Sequence, residues 1–342
     1  MPPSHADQVH PLHRDVAHAL AAIEARFGPG IVRHLRDARP GPAYAPLPSG
    51  SLGLDHATGL GGLPRGHVTE LLGPESSGKT ALLYAALAAA QARGGLAALV
   101  DAEGSADAES LAACGVAVGD LLIARPASAP DALLMLTILA RCRALDALGF
   151  LAVPALRDLP AGRVRGDALG DLAAPDAARL LARGLRVLAA ALAEGPTAVL
   201  LVNDLLPPHP GQPPYRSPGG LALRHHAALR IAVEPRALLP DGAGGFRALR
   251  VDLTVVKHKL GTPGGVAVVE IAAGGGIDTA AELLHLGLAT GLLATGPSGL
   301  AWDAVDLGPD EGRARRRLAA DPALADRLRR ALMGDHHARP AA

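Results

Sequence analysis

The run Gly73-Pro74-Glu75-Ser76-Ser77-Gly78-Lys79-Thr80 fits the pattern G-x-x-x-x-G-K-[ST]. No other stretch restricts the fold as much. Before it, His67-Val68-Thr69-Glu70-Leu71-Leu72 reads as an apolar-rich strand; after it, residues 81–90 are strong helix formers. Strand, glycine loop and helix in that order are the setting a phosphate-binding loop needs. The glycines let the backbone form a nest of inward N–H groups, and the helix aims its positive end at the same point. Lys79 is placed to reach the β- and γ-phosphates of a nucleotide, and the Thr80 hydroxyl to ligate Mg²⁺. A chance glycine turn before a helix is the alternative, and the flanking elements weigh against it.

The chain has 342 residues, enough for one large α/β core and a smaller domain. A hydrophobic share of 49% excludes the disordered class, and 2% aromatics mean a core of Ala, Leu and Val. Net charge is zero, so the chain as a whole has no basic footprint for nucleic acid. A local groove is still enough for DNA. Cys114 and Cys142 sit in apolar, helix-like surroundings and are expected to be buried free thiols. No metal-ligand spacing appears, and the scattered histidines near both ends read as solvated tails. No apolar run reaches membrane-spanning length and no signal-peptide pattern is present. The expectation is a cytoplasmic protein with no membrane partner.

In chain order, residues 1–12 read as disordered, and Val16, Ala19, Leu20 and Ile23 recur at helical spacing between Arg14 and Phe27. Residues 36–48 are Pro-rich and suit a linker. The apolar run Leu96–Val100 ends in Asp101-Ala102-Glu103, which puts carboxylates at the ligand edge of an open sheet. Glu103 is there placed to polarise a water for attack on the γ-phosphate, with a solvated strand end as the bland alternative. Helices are expected over residues 131–143 and 176–194, and strands over 149–153, 198–203 and 253–260. Tyr215 and Arg216, in a loop with six prolines over 205–220, suit base stacking and phosphate pairing; a protein-docking loop is the alternative.

GPESSGKT, together with Ser49-Gly50-Ser51-Leu52-Gly53-Leu54-Asp55 before it and Gly61-Gly62-Leu63-Pro64-Arg65-Gly66, resembles the bacterial RecA recombinases. The resemblance runs from about Ile23 to about Met333. It implies a RecA-like P-loop NTPase core, mostly parallel sheet flanked by helices, with an N-terminal helix and a small α+β C-terminal domain. The corresponding boundaries are 1–48 for the oligomerisation helix and linker, 49–276 for the core, 277–334 for the C-terminal domain and 335–342 for a disordered tail. It implies ATP and Mg²⁺ at the loop residues Gly73 to Thr80, with Asp107 on the adenine amino group and Glu103 as the catalytic glutamate. Lys257 and Lys259 match the lysines that reach the neighbouring subunit's ATP phosphates. Arg163 and Arg165 fall in the first DNA loop, which also reads as a mixed-charge surface loop. Tyr215, Arg216, Gly219, Gly220, Arg224 and Arg230 fall in or beside the second. Single-stranded DNA, duplex DNA, a homo-oligomeric filament or ring, and repair or polymerase proteins are the implied partners.

Three positions depart from the family pattern. Ser110 stands where a Tyr usually stacks on adenine. Val153-Pro154 stands at the pair matched to the Walker B Asp-Ser, so the carboxylate that holds Mg²⁺ through water is missing. Asn203-Asp204 stands for Asn-Gln, the family's γ-phosphate sensor. The resemblance therefore implies a DNA-dependent ATPase with slow hydrolysis, acting in recombination and repair. The alternative is a degenerate paralogue serving as an adaptor in DNA-damage response or translesion synthesis.

Overall fold

The computed structural model describes residues 11–29, 31–32, 44–157, 177–193, 195–205, 215–218, 220–296 and 299–334. Arg163, Arg165 and Gly219, and most of the Pro-rich loop, lie outside these residues. The chain divides into two units, Met1–Ala43 and Tyr44–Ala342. In the first, α1 (Pro11–Phe27) is an amphipathic helix, with Val16 and Phe27 exposed.

The second unit is built on one eight-stranded sheet. Its strands are β1 (Val68–Gly73), β2 (Ala97–Asp101), β3 (Leu122–Ala124), β4 (Ala147–Leu151), β5 (Ala198–Asp204), β6 (Leu229–Pro240), β7 (Phe246–His258) and β8 (Val266–Ala272). The order is β3-β2-β4-β5-β1-β6-β7-β8; pairings from β3 to β6 are parallel and the last two antiparallel. The parallel strands β1, β2 and β4 are buried along their whole length, as strands covered on both faces must be. This is the expected α/β architecture.

Helices cover both faces. Against one face lies α3 (Lys79–Ala92), whose Leu83 and Leu87 share a core with Leu71, Leu99, Leu151 and Val202. Against the other lie α5 (Ala129–Arg141) and α6 (Ala177–Leu192), whose Leu133, Leu136, Leu181, Leu185 and Leu188 share a core with Phe150 and Leu201. Because side chains alternate along a strand, Leu151 and Asp204 face α3, while Phe150 and Asn203 face away from it. Ser128 caps α5 by accepting from the Asp131 amide, and Pro130 sits two residues later in the first turn.

Three expectations are corrected. The strand expected over 149–153 ends at Leu151, and Val153 begins a 3-10 turn, Val153–Arg157, packed in the core away from α3. The strand expected over 253–260 starts earlier, at Phe246, because β6 and β7 run out of the sheet as a hairpin with Leu238 and Phe246 exposed. Cys142, expected buried, is exposed at the end of α5, while Cys114 is half-buried; both are free.

Beyond the sheet come α8 (Thr279–Ala289), β9 (Ala294–Gly296), β10 (Gly299–Trp302), β11 (Val305–Gly308), α9 (Glu311–Ala320) and α10 (Pro322–Gly334). They surround their own apolar cluster, from Ala280 to Leu332. Glu282 ties this lobe to α2 (Leu52–Thr58): it accepts from the Leu52 amide at 3.1 Å and from the Ser51 hydroxyl. Burial pushes Glu282 up to about 7, and also nearby Asp55. Among the described residues, no helix is long and apolar enough to cross a membrane.

Candidate functional site

The glycine loop joins β1 to α3 at the C-terminal edge of the parallel strands. Two backbone positions dictate its sequence. Gly78 has φ +92°, and a Cβ there would lie 2.3 Å from Ile271 Cδ1. A Cβ on Gly73 would lie 2.3 Å from the Val233 carbonyl oxygen. Gly78 also leaves the first turn of α3 without a side-chain cap, so its amides stay directed at the loop. Among the described residues, the buried Ser77 hydroxyl oxygen in the loop has no hydrogen-bond partner.

Lys79 is buried at the start of α3 and donates to the carbonyls of Gly73 at 3.0 Å and Pro74 at 2.6 Å. Its third neighbour is Asp204, with Oδ1 at 3.4 Å. Burial lowers the Lys79 pKa, and the charges of Asp204, Glu103 and Glu75 partly oppose that. Three carboxylates thus surround the lysine. Asp204 reaches it because Gly73 and Asp204 pair across β1 and β5.

Glu103 is exposed just past β2 and accepts from the Ser105 hydroxyl at 3.0 Å. Asp101 behind it is buried and committed to the amides of Ser105 and Ala106 and to Arg125. Asp107 caps α4 (Ala108–Ala113), accepting from the Ser110 amide at 2.8 Å. That bond holds its carboxyl below the usual carboxylate range. Asp107 therefore has a structural task whether or not a base binds beside it.

The missing Walker B carboxylate is relocated by the strand's end. Leu151 pairs with Asp101 across β2 and β4 and faces α3, whereas Val153 lies beyond the strand on the opposite side. The residue that faces α3 at the end of β4 is Leu151, and it is apolar and buried. Mg²⁺ needs hard oxygen donors. The Thr80 hydroxyl, half-buried one residue after Lys79, and the Asp204 carboxylate are donors of that kind at the loop. The residues present thus fit a nucleotide-bound Mg²⁺, though not with the family's usual acid.

On the other face of the sheet, a polar network occupies what is otherwise apolar core. Glu70, in the middle of β1, is fully buried and pairs with Arg230 directly across β1 and β6. Asn203 donates to Glu70 at 2.7 Å and to the Pro218 carbonyl at 2.9 Å, and the Ser217 hydroxyl donates to Glu70 at 2.9 Å. Arg230, expected on DNA, is buried and holds Glu70 in place, because a carboxylate cannot stay charged in that core unpaired. Sequence reasoning passed over Glu70 and Ser217. A glutamate inside an otherwise apolar strand was the available signal.

Above this network opens a cleft of about 510 Å³, lined by Tyr215, Leu221, Arg224, His225, Arg230, Val256, Lys257 and Lys259. A smaller cleft of about 220 Å³, sharing Tyr215, Leu221, Arg224 and Arg230, adds Arg216, Ser217 and Gly220. The second-loop residues and the lysine pair, read as separate groups from sequence, therefore line one continuous region. Arg224 sits on α7 (Gly220–His226). Lys257 donates to the carbonyls of Arg224 and, at 2.7 Å, Ala227, so it closes the end of that helix. Burial, then the charges of Lys259 and Arg230, pull the Lys257 pKa down to about 8. Lys259 is exposed. Tyr215 donates to Glu234 at 3.1 Å.

The family model for the RecA N-terminal domain matches residues 14–278. The chain belongs to the RecA family. It is 37% identical to protein RecA of Frankia alni over 93% of this chain and 91% of that one. Protein RecA of Thermus thermophilus is 36% identical over 91% of each chain, and that of Chlorobium chlorochromatii 34% over 91% of this chain and 87% of its own. The loop and the mostly parallel sheet are thus found in a chain of the RecA family.

Proposed function

We infer that this RecA-family protein binds ATP with Mg²⁺ at the Gly73–Thr80 loop and single-stranded DNA in the basic cleft, as a homo-oligomer acting in recombination and repair. The observation that carries the reading is the junction at Asn203-Asp204. Asp204 faces Lys79 at the phosphate loop, and the adjacent Asn203 bonds Glu70 and Pro218 beneath the cleft. One strand end therefore touches both regions, which is the wiring a nucleotide-gated DNA site requires. Lys79, Thr80 and Glu103 serve the nucleotide. Tyr215, Arg216 and Arg224 offer a ring and cations for a stacked, charged strand. The exposed apolar face of α1, with Val16 and Phe27, suits a second copy of the chain. Lys257 and Lys259 then complete the neighbour's ATP site, as the family resemblance implies.

The second reading, an adaptor with little turnover, is favoured by Leu151, which removes a carboxylate from the metal edge. ATP hydrolysis with and without single-stranded DNA decides between them, read beside light scattering with a non-hydrolysable ATP analogue. DNA-stimulated turnover and ATP-favoured oligomers support the recombinase. A monomer that hydrolyses nothing under those conditions supports the adaptor.

A further inference from the structure

We propose that Asp204 is the carboxylate that positions the nucleotide-bound Mg²⁺ in this chain, in place of the acid missing from the end of β4. The inference rests on the ATP reading above and adds a role to it. Four observations carry it. First, the end of β4 offers Leu151, buried and apolar, on the face that carries α3. No group there can hold a metal water. Second, Asp101, at the end of β2, is spent on two backbone amides and Arg125. Third, among the described residues Asp204 is the carboxylate within ion-pair distance of Lys79, at 3.4 Å, and its side chain is 36% exposed. It is thus at the phosphates yet still open to a metal. Fourth, its backbone is held firmly. Its amide donates to the Asn203 side chain at 3.0 Å, and the next amide, Leu205, donates to the Gly73 carbonyl at 2.9 Å. A carboxylate on the strand beside β1, anchored to the first residue of the phosphate loop, is fixed relative to Thr80.

Mg²⁺ keeps several waters and takes few protein carboxylates, so one well-placed acid is enough. In this structure the same carboxylate pairs with Lys79. Without Mg²⁺ it repels the nucleotide's phosphates; with Mg²⁺ it becomes a ligand through water. The role therefore predicts an unusually strong dependence of nucleotide affinity on the metal, which is a binding property and needs no turnover.

The test is titration calorimetry of ADP and a non-hydrolysable ATP analogue into the full chain, each with Mg²⁺ and with chelator. It is repeated for Asp204→Asn and Asp204→Glu. The expected result is that Asp204→Asn cuts the Mg²⁺ enhancement of affinity about tenfold, leaves or raises metal-free affinity, and that Asp204→Glu retains part of the enhancement. Electron paramagnetic resonance of Mn²⁺ with ADP on the unmodified protein should show a bound-ion signal that Asp204→Asn weakens. Should Asp204→Asn tighten nucleotide equally with and without metal, Asp204 is only a counter-ion for Lys79 and the proposal fails. An unchanged metal dependence also overturns it. Absence of nucleotide binding in the unmodified protein overturns the ATP reading itself, and this proposal with it.

Discussion

The β1–α3 junction and the ends of β4 and β5 lie along one edge of one sheet, and they follow different rules. The junction is local: eight consecutive residues contain the glycines, the lysine and the hydroxyl. Its backbone leaves little freedom, since Gly73 and Gly78 cannot carry a Cβ without meeting Val233 and Ile271. The two strand ends are assembled from distant segments, and there this chain has a leucine and an aspartate. Backbone geometry that no other residue can satisfy resists substitution. Charges contributed by separate strands can be exchanged, provided that the sum at the site still suits the ligand. The buried network around Glu70 belongs to the first kind by energetics rather than by backbone.

The sharpest way to break that comparison is at Glu70. Glu70→Ala strands Arg230 in the core and should cost about 3–5 kcal/mol in unfolding free energy. The paired change Glu70→Met with Arg230→Met should recover most of that loss. Denaturant unfolding reads both, and equal destabilisation by the single and paired changes would count against a buried ion pair. Next comes Lys79→Ala, which should lower nucleotide affinity about 100-fold in calorimetry while leaving the fold intact. Intact binding would mean that the loop is not the nucleotide site.

A smaller effect sharpens the strand-end side. Leu151→Asp should raise Mg²⁺-dependent hydrolysis about tenfold, whereas Val153→Asp should not, because only position 151 faces α3. Thermal unfolding must accompany the assay, since either acid is introduced into core. Equal gains at both positions would refute the face assignment. The smallest effect is in the cleft. Lys257, with a pKa pulled down to about 8, is charged at pH 7 and loses its proton as pH rises through that value. ATP-favoured assembly should weaken a few-fold between about pH 7 and 9, and Lys257→Arg should flatten the decline, because a guanidinium stays charged. Assembly that does not change with pH in the unmodified protein would take Lys257 out of the neighbour's ATP site.

How much could be read in advance varied with how local the physics was. The loop, its strand and its helix were legible, because propensity, glycine geometry and the motif all act within about 25 residues. The helices before and after β4 were placed to within a few residues for the same reason. The end of β4 was misplaced by two residues. The run Gly149–Val153 is apolar throughout, and an apolar run does not say where pairing with β2 stops. The jobs of Arg230 and Lys257 were equally hidden. A cation on a strand looks alike in sequence whether it meets DNA, a buried glutamate or a helix end.

The amino-acid sequence alone determined the α/β class, the order of strand, glycine loop and helix, and the place of Lys79 and Thr80 at the start of α3. These follow from short-range periodicity and from backbone conformations that few residues can adopt. Only the tertiary structure decided that Asp204 meets Lys79, that Leu151 and not Val153 faces α3, and that Tyr215, Arg224 and the Lys257–Lys259 pair line one cleft. Those facts depend on strand order and register. A shift of one residue moves a side chain to the other face of the sheet, and only pairing between distant segments sets that register.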